Sequence, residues 1–372
     1  MKTVSRAPVS FSRRQFIGQV SAATALALAP RWGRAAESAP RKLGVALVGL
    51  GGYSSGQLGP ALRVTEHCRL AGVVTGDRAK GARWARDYGF PEKNIHGYDT
   101  MERLAGNPDI DIVYVVTPNS LHAVHAIAAA RAGKHVICEK PMANSVADCD
   151  AILAACTAAK VRLSIGYRLH FDPYHEVLRQ LVRTGEFGPF RQMRGGFAFR
   201  MGSAQWRAQK QLAGGGPLMD LGVYVIQESC MAAGAAPVAV TAREIPKKRP
   251  EFFRDVEEGI AWTMEFPGGL KSECFTSYND SRNDFRAEAE RGWFEISPAY
   301  TYRNLRGATS RGPLSFDPPV NQQARQMDDF AQCILTGRAS PVPGEMGRRD
   351  LAIIEAIYAS AAAGGVRTVV PA

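Results

Sequence analysis

The chain has 372 residues, of which 45% are apolar and 22% are charged, and its formal net charge is +11 at pH 7. Residues 1–36 hold six basic and no acidic side chains, so the remainder carries 11 − 6 = +5, with basic and acidic residues interleaved. This distribution argues against a nucleic-acid-binding protein, which needs a clustered basic surface. The remaining length of about 335 residues is typical of two domains.

The first predicted element is an export leader. Ser12-Arg13-Arg14-Gln15-Phe16-Ile17 is typical of a twin-arginine signal, and the apolar run 20–30 and the small residues at 33–36 follow it. The apolar run has about 11 residues, whereas a bilayer span needs roughly 20. We therefore predict that residues 1–36 direct the folded protein through the twin-arginine machinery to the periplasm. Export after folding suits a cofactor that is loaded in the cytoplasm and stays bound.

The cysteines indicate neither a disulfide framework nor a metal site. Their number is odd, no CxxC or His/Cys ligand spacing occurs, and most lie in apolar, periodic segments. We expect them to be small buried side chains in a protein that folds in a reducing compartment. The seven are Cys68, Cys138, Cys149, Cys156, Cys230, Cys274 and Cys333.

Residues 42–166 alternate short apolar runs with helix-period segments. Strands are predicted at 43–48, 70–74, 112–116, 135–138 and 162–165. Helices are predicted at 55–64, 79–88, 120–132 and 145–159. The alternation predicts an α/β fold with a doubly wound (Rossmann) parallel sheet and right-handed crossovers.

A glycine-rich turn follows the first strand. In Gly49-Leu50-Gly51-Gly52-Tyr53-Ser54, Gly49 permits a tight bend and Gly51 lets the backbone approach a pyrophosphate at the next helix N-terminus. Ser54 stands where the dinucleotide fingerprint has Gly or Ala. Its place between a strand and a helix makes the motif informative. We predict that Gly49, Gly51, Gly52 and Tyr53 bind a dinucleotide.

The end of the second strand indicates which dinucleotide binds. NAD enzymes usually place Asp or Glu there, but this chain has Thr75, followed by Arg78 and Lys80. The two cations favour the 2′-phosphate of NADP. In an alternative interpretation, Arg78 and Lys80 are solvated first-turn residues and Asp77 is a helix cap.

Several motifs then resemble one enzyme family. They are Thr117-Pro118-Asn119-Ser120-Leu121-His122, Cys138-Glu139-Lys140-Pro141, Gly166-Tyr167-Arg168, His170-Phe171-Asp172-Pro173, Gln205-Trp206-Arg207 and Gly214-Gly215-Gly216-Pro217-Leu218-Met219-Asp220-Leu221-Gly222-Val223-Tyr224. From 42 to 372 the chain resembles the glucose–fructose oxidoreductase / inositol dehydrogenase / rhizopine-catabolism (Gfo/Idh/MocA) family. The leader and the Gly-Gly-Gly motif are most similar to its exported glucose–fructose oxidoreductase branch.

The resemblance implies that residues 167–372 form an α+β domain with an open-faced, mainly antiparallel sheet. Such a sheet carries substrate residues on one face and often a subunit interface on the other, which implies a homo-oligomer, a dimer or tetramer. Turn signals also predict strands at 237–243, 259–266, 269–276, 284–290 and 292–296. Helices are predicted at 321–335 and 347–362.

The resemblance also implies the catalytic residues. Tyr224 matches the family's general acid/base, Lys140 polarises the reacting oxygen, and Asp220 orients the sugar or the tyrosine. Asp220 and Tyr224 lie on one face in either a strand or a helix. Free tyrosine titrates near pH 10, and a neighbouring lysine ammonium favours the phenolate. Implied cofactor-binding residues are Thr117, Pro118, Asn119, His122, Glu139, Lys140 and Arg168. Implied substrate-binding residues are Tyr167, Arg168, His170, Trp206, Arg207, Asp220 and Tyr224.

The expected reaction is oxidation of an aldose at C1 to a lactone, with the hydride passed to a second sugar through tightly bound NADP(H). Alternatives are an ordinary NAD(P)-dependent sugar dehydrogenase or reductase, a redox-assisted glycosidase, and a non-catalytic NADP sensor. Trp206 is alternatively a core residue, and His122 an ordinary buried histidine. The exported family members carry a long proline-rich arm that wraps over a neighbour's cofactor. Here only Glu37–Lys42 separates the predicted cleavage site from the first strand.

Overall fold

The computed structural model describes residues 41–203 and 205–371, so the predicted export leader lies outside the described residues. The strands of this part are β1 (Leu43–Val48), β2 (Cys68–Val74), β3 (Ile95–His96), β4 (Ile112–Val115), β5 (His135–Cys138), β6 (Leu163–Ile165), β7 (Phe190–Ala198), β8 (Ala239–Glu244), β9 (Gly259–Glu265), β10 (Lys271–Ser277), β11 (Arg282–Ala289), β12 (Gly292–Ile296), β13 (Gly307–Thr309), β14 (Gly312–Leu314) and β15 (Thr368–Val369). The helices are α1 (Gly59–Leu62), α2 (Arg78–Tyr88), α3 (His122–Arg131), α4 (Val146–Ala158), α5 (Pro173–Thr184), α6 (Lys210–Ala213), α7 (Val223–Ala233), α8 (Gln322–Thr336) and α9 (Gly344–Ala362).

Six parallel strands form the first sheet, in the order β3-β2-β1-β4-β5-β6. β1 is wholly buried near the centre, with Val45 opposite Leu70 of β2 and opposite Ile112 of β4. Apolar side chains along the whole of β1 are typical of a parallel strand covered on both faces. The order is that of a doubly wound dinucleotide-binding sheet, so this part of the predicted fold is confirmed. Such sheets bind ligands at the carboxyl ends of their strands.

The second sheet has nine strands in the order β14-β13-β12-β11-β7-β10-β9-β8-β15. All neighbouring strands are antiparallel except β7 and β10, which run parallel. The predicted α+β architecture with a mainly antiparallel sheet is therefore confirmed.

The central strand β7 was absent from the sequence prediction. Its exposed residues are polar, and Gly195 and Gly196 interrupt the apolar alternation that marks a strand. The packing explains both glycines. A Cβ at Gly195 would lie 2.9 Å from the Phe285 ring and 3.2 Å from Val225 of α7, and one at Gly196 would collide with the Arg282 side chain. Glycine thus lets α7 and β11 approach the middle of the sheet closely.

Helix α8 packs against the first sheet, although it follows the second in sequence. Met327 and Phe330 belong to one buried cluster with Leu43 and Leu58. The Asp328 carboxylate also accepts hydrogen bonds from two main-chain amides before β2, at 2.7 and 2.8 Å. Helix α8, from near the end of the chain, therefore completes the core of the dinucleotide-binding half.

All seven cysteines lie in the described residues, and each is buried and unpaired. This agrees with their interpretation as packed apolar side chains. Within residues 41–203 and 205–371, no helix combines the length and the apolar character that a membrane span requires.

Candidate active site

A cleft of about 1000 Å³ lies between the carboxyl edge of the first sheet and the second sheet. Its lining follows the order of the strands, with Thr75 after β2, Gly49 after β1, Thr117 after β4 and Lys140 after β5. Tyr224, from the start of α7, lines the Lys140 end. The volume is at the upper end of the range for small-molecule sites, which suits an extended cofactor with a substrate beside it.

The glycine turn presents open backbone to the cleft. Gly49 has φ +97°, and a Cβ there would lie 3.0 Å from the Val116 carbonyl oxygen, so the bend requires glycine. At Gly51 and Gly52 a Cβ would meet nothing within 4 Å. The buried Ser54 hydroxyl donates to the Gly49 carbonyl at 2.6 Å and fixes the bend. Ser54 therefore supports the turn although it departs from the fingerprint.

The end of the cleft after β2 contains one of the two predicted cations. Lys80 lines the cleft together with Thr75 and Asp77, whereas Arg78 is exposed and is not part of the described lining. The Asp77 carboxylate accepts from the Lys80 amide at 2.9 Å and caps α2. Asp77 is therefore the N-cap of α2, as the alternative interpretation of this segment predicted. Of the two predicted cations, only Lys80 belongs to the described lining of the cleft.

Glu139 and Lys140 follow β5 and both line the cleft, but they have different partners. The buried Glu139 carboxyl accepts from the Tyr114 hydroxyl at 2.7 Å and occupies the space beside Gly166, where a Cβ would lie 2.5 Å from it. Burial raises the pKa of Glu139, and the Lys140 charge and the Tyr114 hydrogen bond offset only part of that rise. Lys140 extends into the cleft.

Lys140 and Asp220 form the charged centre of the site. The Lys140 ammonium donates to the Asp220 main-chain carbonyl at 2.9 Å and lies 3.5 Å from its carboxylate. That carboxylate also accepts from the Tyr278 hydroxyl at 3.0 Å and from Arg207 Nε at 3.1 Å. Burial alone would raise the pKa of Asp220, but the Lys140 and Arg207 charges and these hydrogen bonds lower it. Asp220 thus holds two cations in place.

A wide helical turn presents Asp220 and Tyr224. Residues Leu218–Gly222 are π-helical and continue directly into α7, so the pair lies on a helix rather than a strand. Such turns are frequent at functional sites. The buried Glu257 carboxylate accepts from the amides of Gly216 and Leu218 at 2.9 and 3.0 Å, which caps the start of this helix. A Cβ at Gly216 would lie 2.2 Å from the Glu257 carbonyl oxygen, so this glycine is required for the close approach.

Two cations contact Tyr224. The Lys140 ammonium lies 4.6 Å from the centroid of the ring, and the Arg168 guanidinium carbon lies 4.9 Å from it. Arg168 Nε also donates to the Tyr224 hydroxyl oxygen at 3.3 Å. The three residues predicted as catalytic and Arg168 therefore form one continuous cluster.

The loop after β4 is held by its own side chains. Asn119 donates to the Ala213 carbonyl at 2.9 Å, and the two ring nitrogens of His122 lie 2.8 and 2.9 Å from the carbonyls of Thr117 and Pro141. Burial lowers the pKa of His122 to about 4, so the ring is neutral near pH 7. A neutral ring donates from only one nitrogen, so His122 donates to one of these two carbonyls and packs against the other, as an ordinary buried histidine does.

The cleft fits a dinucleotide on its own chemistry. Open backbone at Gly51 and Gly52 precedes a helix, and the Lys80 amine lies at one end of the cleft. The residues placed to hold it are the glycine turn, Thr75, Lys80 and the Thr117–Asn119 loop.

Two family profiles match the chain. Residues 43–167 match an oxidoreductase family with an NAD-binding Rossmann fold, and residues 175–295 match the GFO/IDH/MocA C-terminal domain. The chain belongs to the GFO/IDH/MocA oxidoreductase family. It is therefore an oxidoreductase with an NAD(P)-binding domain.

Characterised members of the GFO/IDH/MocA family align over most of the chain. The structure of aldose-aldose oxidoreductase from Caulobacter crescentus, complexed with glycerol, is similar with a TM-score of 0.86 and 42% identity, covering 88% of this chain and 100% of that one. D-xylose 1-dehydrogenase [NADP(+)] of Haloarcula marismortui is 28% identical over 323 residues, which is 84% of this chain and 89% of the relative. 1,5-anhydro-D-fructose reductase of Ensifer adhaerens is 28% identical over 304 residues, 79% and 89% respectively.

Two residues predicted from the family pattern to bind substrate do not line the cleft. The Tyr167 hydroxyl donates to the Asp350 carboxylate at 2.6 Å, and His170 Nε2 lies 3.0 Å from the Gln227 amide oxygen. Both line a separate small cavity instead, together with Lys140 and Tyr224. Burial lowers the pKa of His170 to about 3, so it is neutral. The physical reason is packing: both side chains are directed into the protein interior, away from the cleft.

Trp206 and Arg207 do line the cleft. The Arg207 guanidinium lies 4.5 Å from the Trp206 ring centroid, and both residues are half-buried, so the alternative of a core tryptophan does not apply. Sequence reasoning missed other lining residues of the second sheet and its loops, since single aromatic or amide residues carry no motif. They are Phe197, Phe199, Asn283, Tyr300, Thr301 and Tyr302. Gln205, in the motif with Trp206, also lines the cleft.

A pair of aromatic rings crosses the cleft. Tyr53, from the glycine turn, and Tyr302, from the loop after β12, have ring centroids 5.9 Å apart. Tyr302 also lies 4.5 Å from the Arg168 guanidinium. The pair therefore connects the two halves of the GFO/IDH/MocA fold next to the glycine turn.

Proposed function

We propose that this protein oxidises an aldose at C1 to its lactone and passes the hydride to a second sugar through NADP(H) that stays bound. The observation that carries the proposal is that Lys140, Asp220 and Tyr224 converge at the end of the cleft that begins at the glycine turn. The likeness to an aldose-aldose oxidoreductase at 42% identity supports a sugar as each substrate.

Tyr224 has the position for proton transfer. Its side chain lines the cleft, and the sugar hydroxyl at C1 must release its proton as the carbon is oxidised. The bound nicotinamide supplies the hydride acceptor in the first half-reaction and the donor in the second. Tyr224 takes the proton in the first half-reaction and returns it to the carbonyl oxygen of the second sugar.

Lys140 stabilises negative charge on the reacting oxygen. Two of its three N–H groups donate to Asp220, one to the main-chain carbonyl and one to the carboxylate, which leaves one for a sugar oxygen in the cleft. Asp220 accepts from Arg207 as well, so its carboxylate orients both cations. Trp206 beside Arg207 offers an apolar face to a sugar ring.

NADP is favoured over NAD because Lys80 lines the cleft where a 2′-phosphate would lie and Thr75 replaces the usual acid. The likeness to D-xylose 1-dehydrogenase [NADP(+)] supports the same preference. The contact between Tyr53 and Tyr302 supports retention, because both residues line the cleft and their rings join the glycine turn to the loop after β12. Export by the twin-arginine route, inferred from Arg13 and Arg14, gives a reason for retention, since a released cofactor would be lost in the periplasm.

The deciding experiment is incubation of purified protein with an aldose and a ketose without added nucleotide. Equal amounts of lactone and polyol are expected. Turnover only with added NADP would identify an ordinary dehydrogenase, hydrolysis of a glycoside without sugar interconversion would identify a glycosidase, and binding without turnover would identify a sensor. Tyr224→Phe is the control for contaminating activity.

Export is tested separately. The leader, residues 1–36, is fused to a reporter that functions only in the periplasm. Signal from the wild-type leader and its loss with Arg13→Lys and Arg14→Lys together are expected. Equal signal from both leaders would refute twin-arginine export.

A further inference from the structure

We infer that Arg168 is a positioning residue for Tyr224, whose hydrogen bond to the phenol oxygen fixes that oxygen and stabilises negative charge on it, and is not a ligand for substrate or cofactor. This inference rests on the proposed role of Tyr224 as the acid/base. It replaces the family-based expectation that Arg168 contacts cofactor and sugar.

The guanidinium has almost no capacity left for a ligand. Arg168 is 1% exposed, although its edge reaches the cleft lining. It donates to the main-chain carbonyls of Tyr300 and Thr301 at 2.6 and 3.1 Å and to the Gln322 side-chain oxygen. With the bond to Tyr224, four of its five N–H groups have protein acceptors. The protein therefore fixes this cation rigidly.

The fixed cation meets the reacting atom of Tyr224. Arg168 Nε donates to the phenol oxygen at 3.3 Å, and its guanidinium also lies against the ring. Lys140 is placed differently, because its ammonium lies over the ring face and donates to Asp220. A hydrogen bond to the charged form of a group favours that form. Arg168 is thus the cation that acts on the oxygen itself.

The other groups around Tyr224 do not supply this effect. Tyr53 and Tyr302 face it from across the cleft and are neutral, because burial raises the pKa of each. Tyr300 lies behind it, with ring centroids 6.0 Å apart. His175 and Glu228 line the small cavity next to Tyr224, and His175 Nε2 lies 3.3 Å from the Glu228 carboxylate.

The proton balance follows from this contact. Before the first half-reaction the tyrosine oxygen accepts the Arg168 N–H, and it then takes the proton of the sugar hydroxyl and becomes a phenol. In the second half-reaction it returns that proton to the second sugar. The Arg168 N–H remains on Arg168 throughout, so its role is electrostatic.

The test is an ultraviolet titration of tyrosinate in the isolated protein, with Tyr224→Phe subtracted to isolate this side chain. Arg168→Lys is expected to move the midpoint up by about one to two pH units, the shift that corresponds to losing a hydrogen bond to a charged group. The pH at which aldose oxidation reaches half its maximal rate should rise equally. The titration needs no sugar, so it reports on Arg168 even if the proposed reaction is wrong.

Arg179→Lys is the control, because Arg179 is a half-buried arginine whose hydrogen bonds go to His170, with 2.8 Å to its carbonyl. An unchanged midpoint in Arg168→Lys, or an equal shift in Arg179→Lys, would overturn the inference. Lys140→Met, which removes the other cation, decides the matter if Arg168→Lys does not fold. If Lys140→Met moves the tyrosinate midpoint by less than about one pH unit, Arg168 is supported as the cation that acts on the Tyr224 oxygen. A larger shift in Lys140→Met refutes that role.

Discussion

Stability at alkaline pH should depend on one buried histidine. His175 of α5 lies between two carboxylates, with Nδ1 3.3 Å from Asp172 and Nε2 3.3 Å from Glu228 of α7. Burial alone would lower its pKa, but the two carboxylates raise it to about 9. Because α7 also carries Tyr224, this charged bridge fixes the catalytic helix against α5.

The size and pH range of the effect follow from that value. An exposed histidine titrates near 6.5, so the folded state holds the proton more tightly by about 2.5 pH units, or about 3 kcal/mol at about 1.36 kcal/mol per unit. This contribution is fully present below about pH 6.5 and is lost as the pH rises through about 9. Typical folding stabilities are about 5–15 kcal/mol, so the loss should be easily measured.

The assay is denaturant unfolding between pH 6 and pH 9.5 in about half-unit steps. His175→Gln should lose about 3–5 kcal/mol at the low end, because it leaves two buried carboxylates without their cation. It should also lack the alkaline decline of the wild type. His67→Gln, at a half-buried position outside this bridge, is the control and should keep the decline. A decline in His175→Gln as steep as in the wild type would refute the reasoning.

Three further predictions concern the site. Tyr224→Phe should reduce turnover by about 10²–10⁴-fold with cofactor affinity retained, since only the proton-transfer group is lost; steady-state rates and a binding titration test this, and near-normal turnover would contradict the acid/base role. Tyr302→Ala should speed cofactor release by removing the contact with Tyr53, measured by displacement from the loaded protein; an unchanged release rate would exclude that contact as the retaining element. Lys80→Ala should weaken NADP binding by about tenfold, with a smaller effect on NAD and a smaller effect for Arg78→Ala, as measured by titration; equal losses for NADP and NAD would contradict a 2′-phosphate contact.

The sequence predicted regular elements best where one segment carries its own signal. The bounds of β1 and β5 agree with the prediction, because each is a short apolar run limited by turn residues. The sequence did not predict β7, because the need for glycine at Gly195 appears only when Phe285 and Val225 pack beside it. It also gave no indication that α8 completes the core of the first sheet, because an amphipathic helix does not specify which apolar surface it covers.

The candidate site was predicted in part. Lys140, Asp220 and Tyr224 meet as expected, since each follows or begins an element whose end faces the cleft. Tyr167 and His170 stand beside Arg168 in sequence but are directed into the interior, and a motif does not state which way its side chains point. The predicted roles of all these residues, in catalysis or in binding, stay predictions.

The sequence by itself determined the local chemistry of this protein: the glycine turn at Gly49–Gly52, the Thr75 substitution at the acidic position, and the lysine after β5. Tertiary structure alone decided which groups meet. Arg168 reaches Tyr224 across 56 positions of chain and is held by carbonyls more than 130 positions away. Burying a cation requires acceptors on several sides, and only the folded chain brings segments so distant in sequence around one guanidinium.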